Sequence, residues 1–390
     1  MSKLEQLIAE LCPDGVEYKA LGDFATITRG GNFQKKDFTE IGVPCIHYGQ
    51  IYTRYGLFAD QTITSINKEA ANKSKSASQN DIIMAVTSEN IEDVCKSVAW
   101  LGSDDIAVSG HTAIIRHNQN PKYLSYYFHS SMFFVQKVKL AHGTKVIEVT
   151  PDKLKSILIP LPPLPIQHEI VRILENFTEL TAELTAELTA RKKQYEYYRD
   201  HILTFGDDVP MKALGTVATN LDSIRKPVTK GSREAGDFPY YGASGIVDYV
   251  SDYLFDGDFL LVSEDGANLV ARVTPIAFSA SGKIWVNNHA HVLQFKTYVE
   301  RKFVEHYLNM IDLNRFIPTA AQPKLTQDNL NKIPIPIPSF GEQQCIVTIL
   351  DRFDTLCNDL SSGLPAEIEA RRKQYEYYRD KLLTFKEAGA

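Results

Sequence analysis

Cysteine is scarce. Cys12, Cys45, Cys95, Cys345 and Cys357 are odd in number and widely spaced, with no C-x-x-C pair. That excludes a thiolate zinc finger and a disulfide framework, and a reduced cytoplasm is expected. Long apolar runs are missing too, and none approaches the roughly 20 residues of a membrane span. The opening stretch MSKLEQLIAEL carries charges where a signal peptide has its apolar segment. Strong net charge is absent: the balance is -6. This argues against a nonspecific nucleic-acid coat but leaves a specific reader open, because local placement governs more than the sum. Catalytic signatures are absent as well. The chain has no GxxxxGK[ST] loop, no HExxH among its ten histidines and no glycine-rich S-adenosylmethionine loop after a strand. It has no [ND]-P-P-[YF] and no nuclease E-x-K following Pro151-Asp152. The expectation is a non-enzymatic chain with no catalytic residue, no metal site and no cofactor of its own.

What is present is repetition. ARKKQYEYYRDHILTF (190–205) and ARRKQYEYYRDKLLTF (370–385) agree at thirteen of sixteen positions. YKALGDFAT from Tyr18 matches MKALGTVAT from Met211, and DKLKSILIPLPPLPIQHEIVRIL from Asp152 matches DNLNKIPIPIPSFGEQQCIVTIL from Asp328. The order is the same in both halves, so the chain is a tandem duplication whose intervening spans have diverged. Each half reads as a variable domain, a proline-rich extended exit and a long helix. The stretch Leu4 to Leu11 precedes YKALG as Tyr197 to Thr204 precedes MKALG, which places the two chain ends side by side.

The central helix is expected from about Gln167 to about Phe205. Its apolar stripe is Ile170, Ile173, Phe177, Leu180, Leu184, Leu188, Tyr195, Tyr198 and Ile202, at helical spacing. TAEL occurs from Thr181 and again from Thr185, in residues that favour helix. In the second copy, Ser361, Ser362, Gly363 and Pro365 predict a break, with a new helix from about Leu364. Apolar-striped helices of this length should pair antiparallel to bury their stripes.

The spans between repeats mix strand-like runs (DIIMAVTS from Asp81, FLLVSEDG from Phe259, KIWVNNHAHVLQF from Lys283) with helical ones (KYLSYYFHS from Lys122, KFVEHYLNM from Lys302). The expected class is α/β: two pseudo-symmetric α/β domains separated by long antiparallel coiled-coil helices. The boundaries are an N-terminal helical segment at 1–16, domains at 17–165 and 207–338, a spacer helix at 166–206 and distal helices at 339–390. Two readings fit this geometry. One is a reader of a split, asymmetric DNA site; the other is a coiled-coil scaffold joining two proteins without nucleic acid. Tyr195, Tyr197 and Tyr198, repeated as Tyr375, Tyr377 and Tyr378, put aromatics on more than one helix face and are the expected partner-binding residues.

TAELTAEL, RRKQYEYYRDKLLTF, GLPAEIEARRKQ, PLPPLPIQHEIVRIL and AQPKLTQDNL together resemble the DNA-specificity (S) subunit of type I restriction–modification systems, over essentially the whole chain. The TAEL units resemble the subgroup in which their number varies. The resemblance implies two target recognition domains, each reading half of a bipartite site in double-stranded DNA. It implies spacer helices that dock two methyltransferase subunits, which carry S-adenosylmethionine and methylate adenine. Restriction subunits would add ATP- and Mg-dependent translocation and cleavage. The chain departs from the pattern at GTKVIEVTPD, where Lys145, Val146, Ile147 and Glu148 stand against Ala321, Gln322, Pro323 and Lys324 of the second half.

Side-chain chemistry selects the candidate DNA-reading residues. Arg and Gln pair with guanine and adenine edges, Lys suits phosphate, and a carboxylate can accept from cytosine. In the first domain they are Arg29, Gln34, Lys35, Lys36, His47, Tyr48, Arg54, Tyr55, Ser109, His111 and Lys145. In the second they are Arg225, Lys226, Lys230, Arg233, Tyr240, Tyr241, Ser244, Glu264, Asp265, Asn268, Asn287, Asn288, His289 and Lys324. Each alone also fits an ordinary solvated or turn-forming role. Basic and acidic residues nearly balance in both domains, so weak DNA binding by the chain alone is expected.

Overall fold

A computed structural model describes residues 2–266, 268–318, 323–359 and 361–389. The chain forms two compact units, Met1–Leu184 with Ile368–Ala390, and Thr185–Glu367. Both boundaries fall inside helices, so each unit keeps part of the helical spacer.

In the first unit the repeats pair with each other. The YKALG strand Tyr18–Ala20 runs antiparallel to the proline-exit strand Leu158–Pro160. Proline is tolerated there because this is a two-stranded ribbon that needs few N–H donors. A five-stranded sheet is ordered 25–29, 112–117, 82–85, 97–100, 58–59, and a second is ordered 38–39, 64–66, 43–46, 106–108, 75–77. The run expected as a strand is Ile82–Ala85, all four residues buried, as befits a central strand covered on both faces. The expected helix is Pro121–Phe128, capped by the Asn120 side chain and started by proline. The chain ends do meet: the Val16 N–H donates to the Lys386 carbonyl at 2.8 Å, and the Ala388 N–H to the Val16 carbonyl at 3.0 Å.

The second unit repeats the plan. Met211–Ala213 pairs antiparallel with Pro334–Pro336. One six-stranded sheet is ordered 219–220, 290–294, 255–263, 277–286, 235–242, 245–250. Tyr298–Met310 is the expected helix, closed by a Thr297–Glu300 capping box. In both units a buried glutamine locks the proline exit to the following helix: Gln167 donates to the Pro162 carbonyl at 2.8 Å and Gln343 to the Pro338 carbonyl at 3.0 Å.

The central helix runs Leu164–Ile202, 39 residues, roughly 58 Å at about 1.5 Å per residue. It starts three residues earlier than expected, because Pro165 falls in the first turn, where a missing N–H costs nothing. Its inward stripe also differs: Leu180 (37% exposed) and Tyr198 (40% exposed) keep much of their surface in solvent, and Thr181, Leu184, Leu188 and Tyr195 are half-buried. The distal helices are Phe340–Asn358 and Leu364–Leu382, with the break where the sequence placed it. Gly363 is required there, because a Cβ would lie 2.4 Å from the Thr355 carbonyl oxygen. Within the first unit Phe177 stacks on Tyr378 at 5.4 Å. Within the second, Phe353 lies between Tyr195 and Tyr198, at 6.2 and 5.9 Å.

Among the described residues, no helix is long and apolar enough to cross a membrane, and no group of three or more His, Cys, Asp or Glu is placed to hold a metal ion.

Candidate nucleic-acid interface

In the first unit, six of the residues chosen from the sequence converge. Arg29, Gln34, His47, Tyr48, Ser109 and His111 line one cleft of about 560 Å³, together with Asn32, Phe33 and Gly110. Two glycines make the convergence possible. A Cβ on Gly30 would lie 2.1 Å from the Ser109 carbonyl oxygen, and one on Gly31 2.2 Å from the Ser74 Cα. His47 caps the helix Tyr48–Thr53 by accepting from the Gly49 N–H. The rings of His47, Tyr48 and His111 form a run, with centroids 4.5 and 4.9 Å apart. Burial holds His47 below the ordinary histidine range, aided by Lys35 and His111. Arg29 is half-exposed; its Nε donates to the Gly110 carbonyl at 2.9 Å and it pairs with Glu148 at 3.1 Å.

Lys35 and Lys36 are exposed on the short turn Lys35–Asp37 next to Gln34, and Arg54 is exposed at the end of the helix Tyr48–Thr53. Lys145 is exposed but is not part of the cleft lining. Two choices are corrected. Ser109 is buried, and its hydroxyl accepts from the Tyr48 N–H at 2.8 Å, so it holds the cleft floor. The half-buried Tyr55 hydroxyl accepts from the Ile63 N–H at 2.9 Å, which ties down a loop.

The second unit sorts its candidates more sharply. Lys226, Lys230, Ser244, Asn288 and His289 are exposed, and Lys324 is half-exposed. Tyr241 is half-buried against Phe278 at 6.1 Å. Several others are occupied inside the fold. Tyr240 is 1% exposed, and its hydroxyl bonds to the backbone of Val228. Arg233 lies 4.3 Å over the Tyr240 ring and pairs with Asp248 at 2.9 Å. Asn268 is spent on both backbone groups of Thr274, and the buried Asn287 accepts from the His289 N–H. Asn268, Asn287, Arg233 and Tyr240 therefore build loops and do not present free edges. Ala321 and Gln322 lie outside the described residues.

Arg225 and Glu264 belong to a buried charge network that sequence reasoning missed. Arg225 pairs with Glu264 at 2.6 Å and with Asp222 at 3.2 Å; Lys324 reaches Glu264 at 2.9 Å. His291, fully buried, bonds Asp222 through Nδ1 at 2.6 Å and the Leu325 carbonyl through Nε2 at 2.8 Å. Burial alone would raise Glu264, but the Arg225 and Lys324 hydrogen bonds outweigh it and hold the carboxyl below the ordinary range. Asp222 is lowered in the same way, its burial overcome by His291, the Val292 N–H and Arg225. The available signal was the Asp222/Arg225 spacing of three, beside a histidine inside the apolar run HAHVLQF.

The six repeat tyrosines divide. Tyr197 (67% exposed) and Tyr377 (62% exposed) stand in solvent. Tyr195 and Tyr375 are half-buried, and Tyr375 packs on the first unit's core. Tyr195 packs on the second unit's core. The expectation that these two face a partner is corrected: they secure the helices to their own domains. Tyr198 and Tyr378 each keep one face on Phe353 or Phe177.

The comparisons with known proteins agree with this plan. The family model described as type I restriction modification DNA specificity domain matches residues 13–191 and again 207–370. A type I restriction enzyme specificity subunit of Haemophilus influenzae is 41% identical over 186 residues, 47% of this chain and 48% of that one. The EcoR124I/EcoR124II specificity subunit of Escherichia coli is 37% identical over 256 residues, 59% of this chain and 63% of that one. The chain thus spans about half to two thirds of the length of these curated relatives. Among solved structures, a chain from work on assembly and conformational transition of the type I R-M system has a TM-score of 0.65 at 18% identity, covering 96% of this chain and 98% of that one. The S subunit from M. genitalium gives 0.55 at 15% identity, covering 95% and 96%. With both halves matched by the same domain model, and with the repeats folded as two like α/β units, the chain belongs to the type I restriction modification DNA specificity family.

Proposed function

We propose that the chain is the non-catalytic DNA-recognition subunit of a type I restriction–modification complex and reads a bipartite, asymmetric site. One observation carries this reading. The duplicated strands pair alike in both units, 18–20 with 158–160 and 211–213 with 334–336, while the loops they frame present different chemistry. The first unit offers an aromatic and basic cleft; the second offers exposed Lys226, Lys230, Asn288 and His289. Like scaffolds with unlike reading groups suit two different half-sites.

In this reading the helical segments 164–202 and 340–382 serve as spacer and as docking surface for two methyltransferase subunits, engaged through exposed Tyr197 and Tyr377. Those subunits supply S-adenosylmethionine and the adenine chemistry, and restriction subunits joined through them supply ATP- and Mg-driven cleavage. The reading residues are Arg29, Gln34, Lys35, Lys36, His47, Tyr48 and His111 in one domain. In the other they are Lys226, Lys230, Asn288, His289 and Lys324.

The test is methylation of a randomised DNA pool by the chain with its methyltransferase partner. The expected product is adenine methylated in one motif of two half-sites separated by unspecified bases. Equal methylation of every sequence overturns the reading, as does the absence of any footprint with partners present.

A further inference from the structure

The two domains place one histidine at the same point of the same scaffold. In the first unit the Val86 N–H donates to the His111 carbonyl at 3.0 Å; in the second the Glu264 N–H donates to the His289 carbonyl at 2.9 Å. One residue on, Thr87 pairs with Glu148 and Asp265 with Lys324 on the returning segment. One residue further along that segment, the Val149 N–H donates to the Val86 carbonyl and the Leu325 N–H to the Glu264 carbonyl. The register is the same, so Thr87 and Asp265 are equivalent positions, as are His111 and His289.

Both histidines are exposed. Each turns Nδ1 toward its neighbour: His111 to the Thr87 hydroxyl at 3.2 Å, His289 to the Asp265 carboxylate at 2.9 Å. The two neighbours differ in what they allow. A carboxylate only accepts, so Asp265 requires a proton on Nδ1, and in the neutral ring Nε2 is then an acceptor. A hydroxyl both donates and accepts, so Thr87 permits the proton on either nitrogen. His111 can therefore present an Nε2–H donor. Lys324 and Glu264 flank the second pair and are already joined to each other at 2.9 Å.

We propose that residues 87 and 265 are specificity-determining positions. Asp265 fixes the tautomer of His289 while Thr87 leaves that of His111 free, and this difference selects whether the histidine reads only an amine-bearing base edge or can also read a carbonyl-bearing one. Asp265 sets His289 to accept from the exocyclic amine of cytosine or adenine. Thr87 lets His111 donate to guanine or thymine oxygen. Thr87 and Asp265 are positioning residues; the histidines make the contact. This inference rests on the DNA-reading assignment above.

The experiment is methylation of a randomised DNA pool by the full complex carrying Asp265→Thr, Asp265→Asn or Thr87→Asp. For the two Asp265 variants, one position of one half-site should lose about tenfold or more of its preference for amine-bearing bases, the other half-site being unchanged. Thr87→Asp should make the converse shift in the other half-site. Asp265→Asn is isosteric, so a folding defect in Asp265→Thr would not mask the effect. A motif retained base for base by all three variants overturns the inference while leaving DNA reading intact, and so does a uniform loss of activity with no change of preference. A wild-type complex with no motif instead overturns the DNA-reading assignment itself.

Discussion

Asp222→Ala should cripple the second domain and leave the first untouched. The carboxylate is 4% exposed; it accepts from His291 Nδ1 at 2.6 Å and from the Val292 N–H at 2.9 Å. Alanine orphans two buried donors. Each such loss costs about 1–3 kcal/mol, or about 4 kcal/mol together. Arg225 keeps Glu264 and the Ala290 carbonyl, so it adds little to the loss. Against a domain stability of about 5–15 kcal/mol, that is a large fraction. The comparison is Arg29→Ala in the first unit, which breaks a pair with side chains 50% and 27% exposed and should cost no more than about 1 kcal/mol. Hydrogen exchange coupled to mass spectrometry reads both at once. For Asp222→Ala, amides of strands 255–263 and 290–294 should exchange roughly a thousandfold faster, at about 1.4 kcal/mol per decade. Strands 82–85 and 112–117 should not change. An acceleration under about tenfold in the second unit would refute the role given to this network.

Other perturbations have equally definite outcomes. Burial pushes His117 and His129 down to about 4, against about 6.5 when unfolded. As pH falls below about 6.5 the unfolded chain binds protons that the folded one refuses. Stability present at neutral pH is thus lost down to about pH 4, by at most about 3 kcal/mol per histidine. Trp100 lies in the first unit and Trp285 in the second, so Trp285→Phe makes fluorescence report the first alone; its urea midpoint should drop between pH 7 and pH 5. Lys226→Ala and Lys230→Ala should each weaken binding of the complex to all DNA sequences alike and flatten the salt dependence by about one counterion, without changing the motif. Tyr197→Ala and Tyr377→Ala should each weaken one methyltransferase contact, read as a shift from two bound copies to one by native mass spectrometry, with thermal stability within about 0.5 kcal/mol of wild type.

The frame of the molecule was legible because duplication and helix chemistry are local signals. The YKALG and proline-exit repeats pair strand to strand, and Ser361 to Pro365 break the distal helix where glycine and proline demand it. The sites were harder to read, since a polar residue's fate depends on partners far away in sequence. Arg29, Gln34, His47, Tyr48 and His111 come together because strands from distant segments converge over Gly30 and Gly31. Arg225 and Glu264 looked like the same kind of residue, yet they lie 39 positions apart and neutralise each other inside the fold. Tyr195 and Tyr198 are alike on a helical wheel and both touch Phe353, but Tyr195 also packs on the second unit's core while Tyr198 stays 40% exposed. Thr87 gave no signal at all; its interest comes only from its register with Asp265.

The central helix offers the most direct test. One further TAEL unit inserted after Leu188 adds four residues to the 39-residue helix, lengthening it by about 6 Å and turning the downstream half of the chain by about 40°. Methylome sequencing of cells expressing the variant with its methyltransferase partner would read the consequence. A split-site reader joined through one continuous helix should keep both half-site sequences and widen the gap by about one or two base pairs. An unchanged gap, or altered half-site bases, would contradict it.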